Sequence, residues 1–328
     1  MGVYLSIIIP LFNEADSIDL LYAELKDVIS RQRYDAEIIF INDGSTDASM
    51  DKLKKIASVD KTVKIINFKR NYGQTPAMAA GIEHATGRII VTMDADLQND
   101  PNDIPLMIAK IEEGYELVSG WRKPRKDSFL RRILPSMIAN YIISFVTGVK
   151  LHDFGCTLKA YRAEIIKGIK LYGEMHRFIP VYAAWTGTYI TEIKTHHRNR
   201  LYGKSHYGFI RTIKVILDLL TVKFLGDFST RPIHLFGGSG LFFMFSGSLI
   251  GIYVLYEKFH LHIFAHKNPL LLLAVFLFLI GFELVLIGLI AELIIRLYHE
   301  HIGNGIYTIK EKINFPSTQT SQESRRMN

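Results

Sequence analysis

Two carboxylates one residue apart, Asp94 and Asp96, stand at the end of the run Arg88-Ile-Ile-Val-Thr-Met93. An apolar, β-rich run that stops at two acids reads as a buried strand delivering its acidic end to the mouth of a sheet. Paired oxygens at such an edge suit a hard divalent cation, Mg²⁺ or Mn²⁺, which takes oxygen ligands and shares them with substrate phosphates. Gln98 adds an amide oxygen two residues on. The same spacing also occurs in surface turns with solvated acids; its place at the end of a buried run favours the cation.

Two further groups could do chemistry. Arg122, Arg125, Lys126, Arg131 and Arg132 form a basic stretch suited to an anionic headgroup, or else a solvated face. Asp153 lies in the segment Asp153-Phe-Gly-Cys156. Cys156 is the single cysteine, so no disulfide framework and no cysteine zinc site is expected.

The elements that must position these groups are legible as alternation. Short β-rich runs fall at Tyr4–Ile9, Glu37–Ile41, Val63–Asn67, Ile89–Met93 and Glu116–Ser119. Helical patterns lie between and after them, at Ser17–Ser30, Ala48–Ser58, Thr75–Ala85 and Pro101–Glu113. Such alternation predicts an α/β fold, a mostly parallel sheet with helices on both faces. Polar clusters follow the strands at Phe12-Asn-Glu14, Asn42-Asp-Gly-Ser-Thr-Asp47 and Asp94-Ala-Asp96, so they are expected to meet at one site beyond the strands' carboxyl ends.

The C-terminal third is different. Apolar residues make up 48% of the chain, and the excess lies in two runs, Ile233–Tyr256 and Leu270–Ile295. Each is long enough to cross a hydrocarbon core of about 30 Å as a helix. Of two amphipathic stretches, Phe209–Phe224 reads as an interfacial helix lying on a membrane, and Phe129–Val146 as either such a helix or an ordinary core-facing one. Gly247 and Gly251 suit close helix packing. Glu283, mid-span, is expected to face a protein interior or polar cavity. With no leader before Ser6-Ile-Ile-Ile-Pro10, and Lys223, Arg231, Arg296, Lys310 and Lys312 flanking the spans, both termini are expected in the cytoplasm. The net charge of +7 fits an anionic bilayer or phosphate ligands; no nucleic-acid motif is found.

Six segments in order carry a resemblance: Ile9-Pro-Leu-Phe-Asn-Glu14, Asn42-Asp-Gly-Ser-Thr-Asp47, Arg70-Asn-Tyr-Gly73, Asp94-Ala-Asp-Leu-Gln98, Asp153-Phe-Gly-Cys156 and Arg200-Leu-Tyr-Gly-Lys-Ser205. With them the chain resembles a family 2 glycosyltransferase with a GT-A, Rossmann-like catalytic domain. It is most similar to the polyprenyl-phosphate group, which includes dolichol-phosphate mannose synthases, bactoprenol glucosyltransferases and undecaprenyl-phosphate aminoarabinose transferases. The resemblance implies inverting transfer of one sugar from a nucleotide-sugar, a UDP-sugar, to polyprenyl phosphate. It places Pro10, Asn13, Glu14 and Asp43 around the nucleobase and ribose, and counts Arg70 among the substrate-binding residues. Asp94, Asp96 and Gln98 would hold Mg²⁺ or Mn²⁺ against the diphosphate. Arg200, Lys204 and Ser205 would close over the phosphates, Arg122 and Arg131 would take the acceptor, and Asp153 and Asp96 would serve catalysis. His206 stands where the pattern has lysine. A processive polysaccharide synthase is disfavoured because no Gln-x-x-Arg-Trp segment is found; a non-catalytic flippase or scaffold subunit is disfavoured by the intact acidic and basic clusters.

The expected organisation is a cytoplasmic catalytic domain over residues 1–205, juxtamembrane helices over 206–231, a two-span hairpin over 232–296 and a partly disordered tail over 297–328. A homo-oligomer is left open.

Overall fold

The computed structural model describes residues 2–123, 134–169, 171, 175–198, 233–260, 264, 268–300 and 307–316. They divide into two compact units, one carrying a sheet and its helices, the other a pair of long helices.

In the first unit the alternation holds: β1 (Leu5–Leu11), α1 (Ala15–Gln32), β2 (Ala36–Asn42), α2 (Ser49–Val59), β3 (Val63–Phe68), α3 (Gln74–His84), β4 (Ile89–Thr92), α4 (Ile104–Glu112) and β5 (Leu117–Arg122). Then come α5 (Leu134–Thr147), β6 (Lys159–Arg162), α6 (Ala163–Lys167), α7 (Ile179–Trp185) and β7 (Ile190–Thr195), with β8 (Ile309–Ile313) supplied from near the chain's end. The strand order is β7-β5-β6-β4-β1-β2-β3-β8. Four pairings are parallel, and the three antiparallel ones involve β6 or β8.

Strands β1 and β2 are near-continuous apolar runs because both sheet faces are covered. Ile7, Ile9, Ile38 and Phe40 pack with Leu21 and Leu25 of α1, Leu53 of α2 and Met107 of α4. On the opposite face Ile8, Ile39, Ile41 and Ile66 pack with Ala77 and Met78 of α3, Ile166 of α6 and Ile179 of α7. Register aligns the carboxyl ends: Leu11 lies opposite Asn42, and Asn42 opposite Asn67. The Met93 amide donates to Ile8 O at 3.1 Å, which carries Asp94 to the same edge.

Three strands escaped the sequence reading. β6 and β7 are short and polar, and β8 falls in the segment expected to be a tail. Its Ile-Lys-Glu-Lys-Ile pattern alternates, as an edge strand with one solvated face does.

In the second unit α8 (Ile233–His260) and α9 (Pro269–Glu300) form an antiparallel pair. The 28 residues of α8 extend about 42 Å at 1.5 Å per residue. Both helices are long and apolar enough to cross a membrane. Leu241, Phe242, Phe245, Leu249 and Ile252 of α8 point outward, as do Leu272, Phe276, Leu279 and Ile290 of α9.

The seam is set by glycines. A Cβ on Gly240 would lie 2.5 Å from Gly281 O, and one on Gly247 would lie 2.8 Å from Ala274 O. Gly240, Gly247 and Val254 recur every seven residues and are all buried, the spacing of a left-handed helix pair. Gly251, expected at the contact, has its nearest neighbour at 4.0 Å and lies beside the seam. Glu283 is exposed on the outside of the two-helix pair. Two residues advance a helix by about 200°, so a seam through Gly281 turns Glu283 outward.

Candidate active site

The carboxyl edge of the sheet gathers the polar loops. The loops after β1 and β2 clasp each other. Asn13, at φ 56°, accepts the Thr46 amide on Oδ1 at 2.8 Å and donates its own amide to Ser45 Oγ at 2.9 Å. The Glu14 amide donates to Ser49 Oγ, and Asp47 accepts the Ala15 and Ser49 amides. Pro10 lies just inside, near the end of β1.

Asp43 is 4% exposed, and its two oxygens accept the amides of Tyr72 and Gly73 at 2.7 and 2.8 Å. Burial raises its pKa although those amides oppose the rise. Its first task is therefore to shape the Arg70–Gly73 loop; any nucleoside contact must use the remaining lone pairs. Gly44, at φ +70°, lets that loop pass: a Cβ there would sit 2.5 Å from the Arg70 carbonyl carbon. Arg70 is exposed at the loop's tip, with its guanidinium 4.6 Å from the Tyr72 ring centroid.

Beyond β4, Asp94 Oδ1 accepts from Gln74 Nε2 and Oδ2 from Thr157 Oγ1, both at 2.7 Å. Asp96, 7% exposed, accepts the Gln98 amide at 3.1 Å. Leu97 between them is fully buried at φ 61°, a strained left-handed conformation of the kind that clusters at functional sites. Burial, then the neighbouring Asp96 charge, push Asp94 up to about 6. The buried Asp96 carboxylate and the half-buried Asp94 carboxylate repel each other, and a cation between them stabilises both. Among the described residues no third Asp, Glu, His or Cys joins them. The donor set thus fits a hard divalent ion that draws its remaining ligands from water, amide oxygen or substrate phosphate.

Gln74 and Thr157 were missed by the sequence reading, although each directly follows a quoted motif. Gln74 sits in the first turn of α3, whose Thr75 hydroxyl meets Nδ1 of the buried His176 at 2.7 Å. Burial pushes His176 down to about 3, so it anchors that turn as a neutral ring.

At the next strands, Arg122 of β5 grips Asp153 through a two-toothed ion pair, Nε to Oδ2 at 2.7 Å and Nη2 to Oδ1 at 2.8 Å. The Gly155 amide also donates to Asp153, which is 2% exposed. Beneath this turn the buried Lys159 ammonium donates to the carbonyls of Phe154 and Cys156. Cys156 is itself buried, and burial raises its thiol pKa, as suits a packing residue.

Arg131, Arg200, Lys204, Ser205 and His206 lie outside the described residues. The approach to the Arg200 segment is described, however. The Arg198 amide donates to Gln98 O at 2.9 Å, and its guanidinium pairs with Glu24 and Asp100. The chain therefore enters that segment from beside the acidic motif. Pro10, Asn13, Glu14, Asp43, Arg70, Asp94, Asp96, Gln98, Arg122 and Asp153 all stand at one edge of one sheet.

Comparison with known proteins adds the following. Residues 6–169 match the profile of glycosyl transferase family 2. The chain is 42% identical over 311 residues to a dodecaprenyl-phosphate galacturonate synthase of Rhizobium johnstonii, covering 94% of this chain and 92% of the relative. It is 33% identical to an undecaprenyl-phosphate 4-deoxy-4-formamido-L-arabinose transferase of Proteus mirabilis, covering 97% and 96%. Among solved structures, the fold is similar to glucosyl-3-phosphoglycerate synthase of Mycobacterium tuberculosis in complex with Mn²⁺, UDP and phosphoglyceric acid. That match has a TM-score of 0.52 at 16% identity, over 68% of this chain and 79% of the other.

Proposed function

The chain belongs to glycosyl transferase family 2, and from that premise we propose that it moves a single sugar from a nucleotide-sugar, a UDP-sugar, to polyprenyl phosphate. The observation that carries this reading is the meeting of the Asp94–Asp96 pair with the Arg122–Asp153 pair at one sheet edge. The acidic pair suits a cation-bound diphosphate, and the basic group beside it suits a phosphate nucleophile.

Asp94 and Asp96, with Gln98, would hold Mg²⁺ or Mn²⁺, which would supply positive charge against the charge developing on the departing nucleoside diphosphate. Gln74 and Thr157 fix the orientation of the Asp94 carboxylate, one hydrogen bond to each oxygen. Asn13, Glu14 and Asp43 shape the nucleoside end, and Arg70 reaches the donor from its exposed loop. Arg122, held at a fixed angle by Asp153, is assigned to the acceptor phosphate as a positive charge beside the acidic pair. A phosphate monoester has a second pKa near 6 and arrives largely ionised at neutral pH. It attacks the anomeric carbon, the carbon–oxygen bond to the diphosphate breaks, and configuration inverts. With both oxygens facing a guanidinium, Asp153 is a positioning group before it is a base.

The protein is a membrane protein, and α8 and α9 are read as its spans. Both flanks of that pair are read as lying on one side, the cytoplasm. The support is β8, which follows the pair in sequence and hydrogen-bonds to β3, which precedes it. α5 is read as an interfacial helix, because Ile138, Tyr141 and Phe145 form an exposed apolar stripe. The test is a donor screen of sugar nucleotides, UDP-galacturonate among them, with undecaprenyl phosphate. Organic-extractable product from one donor supports the reading; none from any donor removes it.

A further inference from the structure

One residue beyond Gln98, a buried amide reaches back toward the acidic pair. Asn99, 5% exposed, donates from Nδ2 to Thr157 Oγ1 at 3.0 Å. Thr157 Oγ1 donates in turn to Asp94 Oδ2 at 2.7 Å. Gln74 Nε2 reaches the other Asp94 oxygen, also at 2.7 Å.

The backbone is pinned at both ends of this chain of side chains. The Thr157 carbonyl accepts from Oγ1 of Thr92, the last residue of β4, at 2.9 Å. Asn99 forms an antiparallel bridge with His197, and the Arg198 amide donates to Gln98 O at 2.9 Å. The Arg198 guanidinium then ties Asp100 to Glu24 of α1, each at 2.8 Å. Leu97, at φ 61°, makes the bend that brings the chain from Asp96 round to Asn99.

A hydroxyl carries one hydrogen, and an ionised carboxylate only accepts. Between Asn99 and Asp94 the Thr157 hydroxyl therefore has one satisfied arrangement. It receives the amide N–H and sends its own hydrogen to Asp94. With an acceptor at position 99, two oxygens would compete for that hydrogen, and a hydroxyl lone pair would face whichever lost. The Asn99 amide thus fixes the direction of the bond as well as its place. A carboxylate held by a donor on each oxygen is set in one orientation before an ion arrives, so binding has less to order.

We infer that Asn99 is a positioning residue for the cation, acting through the Thr157 hydroxyl on Asp94. This rests on the functional reading above, in which Asp94 is a cation ligand. No proton or bond is transferred; the amide sets which way one hydroxyl points.

The test uses the full chain, purified in detergent at about pH 8, where carboxylates are ionised. Free Mn²⁺ is followed by its electron paramagnetic resonance signal, first with the metal alone and then with UDP or GDP present. The site counted is the one lost in Asp96→Ala. Thr157→Val should weaken Mn²⁺ binding roughly tenfold, as losing a hydrogen bond to a charged group does. Thr157→Ser should restore it. Asn99→Asp keeps the shape and replaces the donor by an acceptor. It should cost roughly tenfold more in the parent, and in Thr157→Ser, than in Thr157→Val, where no hydroxyl is left to turn. Any direct pull of the new charge on the ion is common to all backgrounds and cancels in the comparison. Thr157→Ala serves the same comparison should Thr157→Val fail to fold. An equal effect of Asn99→Asp with and without the hydroxyl is the mark of a merely structural residue and overturns the inference. So does a hydroxyl-free variant that binds Mn²⁺ as the parent does. A parent with no Mn²⁺ site that Asp96→Ala removes takes away the metal reading first and this inference with it.

Discussion

Asp153 accepts two hydrogen bonds from one guanidinium, at 2.7 Å from Arg122 Nε and 2.8 Å from Nη2. A carboxylate so engaged must break a charge-assisted fork before it can take a proton. Asp153→Asn is therefore expected to lose activity roughly 10- to 100-fold, no more than the low end of what a missing general base costs. The remaining activity should climb as the lipid phosphate loses its second proton near pH 6. A pH–rate profile at saturating lipid checks this. Complete inactivity across the range, in a variant that still binds nucleotide, would make Asp153 an obligatory base.

The second expectation concerns the acidic pair. Asp96→Ala should abolish transfer, and chelator should silence the parent. Cation binding competes with protonation of Asp94, which desolvation and then the neighbouring Asp96 charge push up to about 6. The Mn²⁺ affinity measured by titration should thus fall as pH drops through about 6 and level off above it. Full activity in excess chelator would falsify the metal assignment.

A third expectation is structural and lies at the opposite end of the sheet. Glu37 is 2% exposed and accepts from Ser6, Thr86 and Lys64. Burial works against its charge, but those hydrogen bonds outweigh burial and hold its pKa below the usual value. A depressed carboxylate stabilises the fold above its unfolded pKa, and that contribution is lost as pH falls through the folded one. Glu37→Gln should cost about 3 kcal/mol at neutral pH, the low end for a broken buried pair, since Lys64 retains some solvent. The gap in melting temperature between variant and parent should narrow in acid. An equal gap at pH 7 and pH 3.5 would contradict the assignment.

How much of this was legible in the sequence follows from what each residue type reports. β1 to β5 were readable because buried parallel strands are continuous apolar runs, and the acidic and loop motifs followed at their ends. β6 was hidden because its Lys159 is a charged residue in a fully buried place, stabilised by two carbonyls that are remote from any periodic pattern. β8 was hidden because its partner β3 lies some 240 residues earlier, and a five-residue edge strand has no signal apart from that partner. Asp43 was visible as a motif residue, but its bonds to Tyr72 and Gly73 depend on two loops meeting in space. The outward turn of Glu283 could have been read from its two-residue offset from Gly281, had the glycine seam been recognised.

That seam supplies the fourth expectation. Gly247→Leu should destabilise the helix pair and lower the yield of folded protein, because Ala274 O and Phe278 N lie 2.8 and 2.9 Å from where its Cβ would be. Gly251→Ala should be tolerated, with its nearest neighbour at 4.0 Å. Thermal unfolding in detergent compares the two. Equal melting temperatures for both variants would mean the glycines do not set the contact.

The most direct measurement is the mass of the lipid product. Purified protein is incubated with Mn²⁺, the donor selected by screening and undecaprenyl phosphate, and the organic phase is analysed by mass spectrometry alongside Asp96→Ala. The expected product is undecaprenyl phosphate carrying one sugar residue, at a mass that does not grow with time, and absent from Asp96→Ala. A ladder of added sugars, or the same product from Asp96→Ala, would contradict single transfer at this site.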